Sequence, residues 1–280
     1  MDSSIFFAVI AAAMLHAGWN ALIKIGLDRY LTVCLIQMGA GIAALCTLPF
    51  VAFPQVEAWP WIILSVLLHI GYNGFLAHAY KYGDLSQVYP LSRGSSPLIV
   101  ALISVVLLHE TLSWGQISGL LILVTGIWLM ALRTSKDSPF NTPLLLTALT
   151  TASFIAAYTL ADAVGARVNG DAFSYAMWLF AMNGAVTFMI LVGLRGTAIL
   201  SRLSLYWKGG LGGGVMSLMA YSIVIWAMTL APVAVVSALR ESSVLFALLI
   251  GRVVLKETLP LLRVVSCIVI LMGVVTLKLA

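Results

Sequence analysis

Apolar residues run through this chain in stretches of about twenty, the length a helix needs to cross a bilayer. The stretches lie near 4–24, 31–53, 60–80, 86–108, 113–132, 141–161, 172–193, 209–230, 233–255 and 260–279. Polar and turn-forming residues separate them: Asp28-Arg29, Pro54-Gln55, Gly83-Asp84, Glu110, Ser135-Lys136-Asp137, Gly170-Asp171 and Ala231-Pro232. This pattern predicts an all-α integral membrane protein with ten transmembrane helices. The longest polar connection, Arg195 to Lys208, is too short for a soluble domain. The first stretch resembles the apolar part of a secretory signal. A cleaved signal carries basic residues ahead of it, and here the only early charge is Asp2, so the stretch is expected to be the first membrane helix.

Composition sharpens this picture. The chain is 62% hydrophobic and 9% charged, against about 45–50% and about 25% in ordinary soluble domains. So few charges cannot cover the surface of a water-soluble protein. Lipid is the solvent. The net charge of +5 is spread singly over short loops, without the basic stripe that captures nucleic acid. Cys34, Cys46 and Cys267 lie within apolar runs at spacings that fit neither a metal site nor a disulfide framework, so packing is their expected role. His109-Glu110-Thr111-Leu112-Ser113 lacks the second His of a zinc-protease motif, and the glycine run from Gly209 to Gly214 lacks the ending of a phosphate loop. That run reads as a place for close helix packing. No cofactor and no metal are expected.

The chain also repeats itself. A shift of 147 lays Arg93-Gly94-Ser95-Ser96 on Arg240-Glu241-Ser242-Ser243, Glu110-Thr111-Leu112 on Glu257-Thr258-Leu259, and Gly126 on Gly273. Earlier in each half, a shift of 138 aligns Arg29 with Arg167 and Asn20 with Tyr158. Rare polar residues recurring in order mark a true duplication, with halves at 1–135 and 136–280. Five helices per half is an odd number, so the second half enters the membrane inverted. Inverted repeats place transport sites near the midplane, between the halves.

The distribution of Lys and Arg gives an orientation. The loops after helices 1, 3, 5, 7 and 9 hold Lys24, Arg29, Lys81, Arg133, Lys136, Arg195, Arg202, Lys208, Arg252, Lys256 and Arg263, whereas the opposite side holds Arg167 and Lys278. The positive-inside rule makes those odd loops cytoplasmic and turns both termini outward.

The motifs resemble the drug/metabolite transporter superfamily, in its EamA-type branch of ten-helix carriers. The resemblance is carried by His16-Ala17-Gly18-Trp19-Asn20 with Lys24, by Tyr89-Pro90-Leu91-Ser92-Arg93-Gly94-Ser95-Ser96-Pro97, and by the two Glu-Thr-Leu turns. It covers both halves. What it implies is ATP-independent transport of a small metabolite, with export and proton coupling common, in a cell membrane of the bacterial inner-membrane type. Many members place their termini in the cytoplasm, opposite to the charge reading.

Candidate site residues come from polar groups inside the spans. Arg93 and Arg240 each lie about seven residues into a helix, hence roughly 10 Å deep. Approaching from opposite faces, they can clamp a carboxylate, phosphonate or phosphate between them. Alternatively each snorkels or pairs locally, as Arg240 can with Glu241, while Gly94 gives Arg93 no adjacent acid. His16, Trp19 and Asn20 share one face of helix 1, and His69, Tyr72, Asn73 and Tyr80 one face of helix 3. His16 and His69 are the candidates for coupling a proton, unless they are neutral histidines bonded within the bundle. The corresponding helix of the second half carries Met216, Met219, Ala220 and Ala227, so the site is expected to be asymmetric. Tyr89, Ser96 and Ser243 complete the expected binding set. Pro90 and Pro97 suggest an interruption of helix 4 beside Arg93. Asp162 lies near the expected end of helix 6, where a solvated cap competes with a role as coupling acid.

The expected function is secondary transport of a small anionic or zwitterionic metabolite, amino-acid-like, in the export direction. The alternatives are a flippase for a lipid-linked phosphate carrier, or uptake of phosphonates or organic anions. An intramembrane enzyme using His16, His69 and Asp162 has no recognisable constellation behind it. The expected partners are the small-molecule substrate, the lipid bilayer and a proton. The chain is expected to act as a monomer.

Overall fold

A computed structural model describes residues 1–22, 29–79, 82, 85–131, 142–253 and 260–280. The described elements are helices α1 (Ser3–Leu22), α2 (Arg29–Thr47), α3 (Trp59–Ala79), α4 (Leu85–Leu107), α5 (Trp114–Ala131), α6 (Thr142–Asn169), α7 (Ala172–Arg195), α8 (Ile199–Ser204), α9 (Trp207–Leu230), α10 (Val233–Arg240), α11 (Ser243–Val253) and α12 (Leu261–Leu279). Nine described spans have the length and apolar character to cross a membrane, α10 and α11 together forming one; the shorter apolar helix Trp114–Met130 is the tenth. The outer surface is apolar: Phe7, Phe50, Leu102, Leu230 and Leu279 are all exposed. Such a surface is stable only in contact with lipid.

The halves pack in a pattern that survives their exchange. α5 lies on α12 and α2 on α7, which are equivalent helices of the two halves. α1 lies on α9 and α3 on α6, and each of these pairs becomes the other when the halves are swapped. Glycines permit the closest crossings, because backbones approach where no Cβ intervenes. A Cβ on Gly184 would stand 2.6 Å from the Cα of Gly41, and one on Gly273 would stand 2.6 Å from the backbone nitrogen of Leu123. In the glycine run, Gly210 and Gly214 face α2 closely, whereas Gly209 and Gly212 meet nothing. Replacing Gly184 by Leu is therefore expected to force α2 from α7, an overpacking cost of about 1–3 kcal/mol or more. Gly193→Leu, on the same helix but with open space around it, serves as control. Size-exclusion chromatography in detergent should show aggregated Gly184→Leu beside a monodisperse Gly193→Leu.

Two helices depart from the sequence expectation. α6 continues to Asn169 rather than stopping near 161. Asp162 and Arg167 break the apolar run but do not end the helix, because protein groups hold both: hydroxyls bond Asp162, and Glu110 with the Met228 carbonyl bonds the partly exposed Arg167. The expected interruption of helix 4 is absent: α4 is continuous through Pro90 and Pro97. The break lies at the equivalent point of the other half, between α10 and α11 at Glu241-Ser242. There the backbone tightens into i→i+3 bonds, Glu241 N to Ala238 O at 3.0 Å and Val244 N to Glu241 O at 3.1 Å. The break turns the Glu241 side chain toward α4.

Candidate functional site

A cavity of about 540 Å³ lies between the halves. His16, Trp19 and Asn20 of α1, Gln37 of α2, His69, Tyr72 and Asn73 of α3, and Arg93 of α4 line it from the first half. Tyr158 of α6, Phe180 and Asn183 of α7, Tyr221 of α9 and Arg240 of α10 line it from the second. The residues of α1, α2, α3 and α7 that take part belong to the parts of those helices nearer the basic odd loops.

Arg93 and Arg240 line the cavity and meet in an ion triad with Glu241, which lies behind them. Arg93 Nε donates to Glu241 Oε2 at 2.6 Å and Arg93 Nη2 to Glu241 Oε1 at 3.1 Å, a two-pronged pair that joins the halves. Arg240 Nη2 reaches the same Oε1 at 3.4 Å. Glu241 is fully buried and both arginines nearly so, at 4% and 3% exposure. A lone buried charge is costly, and paired burial is the usual solution. Here the pairing is incomplete, since two guanidinium groups share one carboxylate. Arg240 Nε has no hydrogen-bond partner among the described residues, and neither have His16 Nε2 and Trp19 Nε1. Leaving a buried polar group unpaired costs about 1–3 kcal/mol. All three of these atoms belong to residues that line the cavity.

Aromatic rings form the adjoining wall. His69 stacks on Tyr158 with ring centroids 4.1 Å apart, and Tyr72 and Tyr221 meet Tyr158 edge-on. The Arg240 guanidinium carbon is 5.9 Å from the Tyr221 ring centroid. In helix 1, His16 and Trp19 make a T-shaped pair at 5.0 Å, and Asn20 Nδ2 donates to the His16 carbonyl at 2.8 Å.

The opposite end of the molecule is tied shut by contacts between the halves. Gln55 N donates to Asn169 Oδ1 at 2.9 Å, and Ser174 Oγ donates to the Ala52 carbonyl at 2.6 Å. Arg167 Nη2 pairs with Glu110 Oε1 at 2.7 Å and donates to the Met228 carbonyl at 2.8 Å. Glu110 Oε2 accepts from the Val233 nitrogen at 2.9 Å, at the start of α10.

Comparison with known proteins agrees with this architecture. The profile of the EamA-like transporter family matches residues 3–132 and 142–279. The chain belongs to the EamA-like transporter family. A crystal structure of a protein 17% identical in sequence superposes with a TM-score of 0.79, covering 100% of this chain and 98% of that one. At that identity the likeness concerns the fold. As an EamA-like protein, the chain is a multi-pass membrane transporter, with a small-molecule substrate and the bilayer as its partners.

Within this EamA-like fold, most of the polar residues singled out in the sequence meet. Arg93, Arg240, His16, Trp19, Asn20, His69, Tyr72 and Asn73 all line the one cavity. Ser96 and Ser243 do not; both are buried in helix packing near the triad. The side chain of Tyr89, like Lys24, Tyr80 and Glu257, lies outside the described residues. Three sequence readings are revised. Arg93 has an acid after all, supplied across the interface by Glu241 rather than by a chain neighbour. Asp162 is no solvated cap: it is fully buried and accepts from the Tyr175 and Tyr221 hydroxyls. Glu110, read in the sequence only as a break between spans and part of a repeated Glu-Thr-Leu turn, holds Arg167 and the first turn of α10. Tyr221, Asn183 and Gln37 were passed over. Each is a polar residue inside an apolar run, a signal that flagged their partners in helices 1 and 3.

Proposed function

We propose that this transporter moves a small anionic or zwitterionic metabolite, with the Arg240 side of the ion triad as the anion-binding group. The observation that carries the reading is the shared carboxylate: Glu241 neutralises one of two guanidinium groups, so the triad taken by itself keeps one positive charge. A carboxylate, phosphonate or phosphate beside Arg240 supplies the missing charge, and the unpaired His16 and Trp19 ring nitrogens stand ready to bond the same group. The volume of about 540 Å³ falls within the roughly 300–1,000 Å³ typical of small-molecule pockets. Tyr158, Tyr72 and Tyr221 offer apolar faces with polar edges to the rest of the solute. Arg93, engaged by both prongs on Glu241, positions that carboxylate and thereby aims Arg240. Because one chain supplies both walls, a monomer suffices. Rocking of half against half exposes the site alternately.

Purified protein in liposomes, screened with radiolabelled glutamate, succinate, phosphonoacetate and neutral amino acids, tests this reading. Arg240→Gln removes a charge-assisted contact worth about 1.5–3 kcal/mol. Apparent affinity for the transported anion is expected to fall roughly 10- to 100-fold. Undiminished transport by Arg240→Gln overturns the reading. Headgroup translocation of a lipid phosphate without solute flux replaces it with a flippase.

A further inference from the structure

Asp162 is a buried charge that the substrate reading leaves idle. It belongs to α6, is fully buried, and among the described residues forms no ion pair. Hydroxyls hold it instead. Tyr221 donates to Oδ2 at 2.7 Å, Tyr175 donates to Oδ1 at 3.1 Å, and Ser65 bonds the same carboxylate. A hydroxyl both donates and accepts. The same three groups therefore satisfy this side chain as a carboxylate and as a protonated acid, after no more than rotation of their hydrogens. Glu241 is held differently, by guanidinium groups that only donate. Protonating it breaks the joint between the halves. Of the two buried acids, Asp162 alone can take and release a proton with its surroundings intact.

Two short routes connect this acid with the cavity. Tyr221 lines the cavity and bonds Asp162 directly. Ser65 touches both Asp162 and His69, and His69 lines the cavity. The His69 Nδ1 to Ser65 carbonyl contact of 2.9 Å fixes Nδ1 as a donor, since a carbonyl only accepts. The polar, charged and titratable groups facing Asp162 are Ser65 and His69 of α3, Tyr158 of its own helix, Tyr175 of α7, Tyr221 of α9, and Arg240 with Glu241 at the break between α10 and α11. Arg93 of α4 stands behind Glu241.

Charge balance links this acid to the substrate. Arg93, Arg240, Glu241 and Asp162 are the charged side chains buried among the described residues. Ionised, they sum to zero. Uncompensated charge is strongly disfavoured within a membrane. An anion bound beside Arg240 leaves the core with one excess negative charge, and a proton on Asp162 removes it. We propose that Asp162 is a proton-binding site, and that an anionic substrate crosses the membrane together with one proton held there. The proposal rests on the anion reading of the cavity. Net movement then follows the sum of the anion and proton gradients, and a zwitterion, adding no net charge, needs no proton.

The test uses the same proteoliposomes with a pH-sensitive dye inside and the membrane potential set by potassium and valinomycin. Wild-type flux of the transported probe should carry one extra proton per ion; glutamate, with one net negative charge, should then ignore the imposed potential, whereas succinate or phosphonoacetate, which carry more charge, should still respond to it. The probe's apparent affinity should strengthen about tenfold per unit fall in pH while Asp162 is ionised, as reciprocal linkage requires. Asp162→Asn mimics the protonated acid: anion flux should lose its proton and its pH slope and respond to potential. A wild-type flux that depends on Arg240 but carries no proton overturns this inference and leaves the substrate reading standing. No flux of any probe overturns both. A measurement without substrate guards against a misfolded variant: infrared difference spectra between alkaline and acid pH should show a carboxyl band in wild type. Its absence over the whole range overturns the proton site.

Discussion

Replacing Glu241 by glutamine is expected to abolish anion transport and to leave little folded protein in the membrane. The substitution keeps the shape of the side chain and removes the only charge that offsets Arg93 and Arg240 among the buried groups of the triad. Breaking a buried pair while its partner stays buried costs about 3–5 kcal/mol, and here two guanidinium groups lose their partner together. The effect exceeds that of Arg240→Gln, which removes a ligand contact but relieves the triad of its excess charge. The double substitution Glu241→Gln with Arg93→Gln is the decisive comparison. It leaves one buried cation instead of two, so it should be more thermostable in detergent than Glu241→Gln alone. Two residues in direct contact are expected to couple in this way. Wild-type thermostability of Glu241→Gln, or strict additivity with Arg93→Gln, removes the triad from the account of both fold and site.

The second large effect is conformational. Arg167→Gln should loosen the sealed end of the molecule and shift the carrier toward the state that opens there. The Arg167 side chain is 35% exposed, so its ion pair with Glu110 contributes only about 0–1 kcal/mol by itself. Arg167 also donates to the Met228 carbonyl at the end of α9, where a cation is favoured by the helix dipole. Glu110 in turn bonds the first turn of α10. One side chain thus ties the helix 4–5 loop, α6, α9 and α10 together. The expected readout is thiol labelling of Ser237→Cys, a buried position on α10, in a background lacking Cys34, Cys46 and Cys267. A membrane-impermeant reagent added on the sealed side should react roughly tenfold faster in Arg167→Gln, a shift of about 1.4 kcal/mol in population. Labelling of Asn73→Cys in the cavity should slow in step. Unchanged rates at both positions show that the contact is incidental to access.

Both predictions concern contacts that pair residues far apart in the chain, and this is where the sequence reading failed. Arg93 and Glu241 are 148 residues apart. The repeat supplied a hint, because Glu241 occupies the position equivalent to Gly94, beside Arg93. Near a pseudo-two-fold axis a residue meets the counterpart of its own neighbourhood. Searching for an acid next to Arg93 in the chain missed the one across the axis. Asp162 failed for a related reason. Hydropathy ended helix 6 just before it, since a carboxylate normally ends an apolar run. Three hydroxyls from α3, α7 and α9 keep it inside.

The hydrophobic pattern predicted ten membrane helices, the recurrence of rare polar residues predicted two inverted halves, and the polar residues within the helices pointed to most of the cavity wall. Lipid explains why so much was readable: it offers backbone groups no hydrogen bonds, so each span must be a helix of set length. Tertiary structure decided which buried charges share partners, which buried acid is held by hydroxyls rather than by cations, and which end of the carrier is closed. Those outcomes depend on side chains from both halves meeting within about 3 Å of one another, and the order of residues along one strand of chain holds no record of such distances.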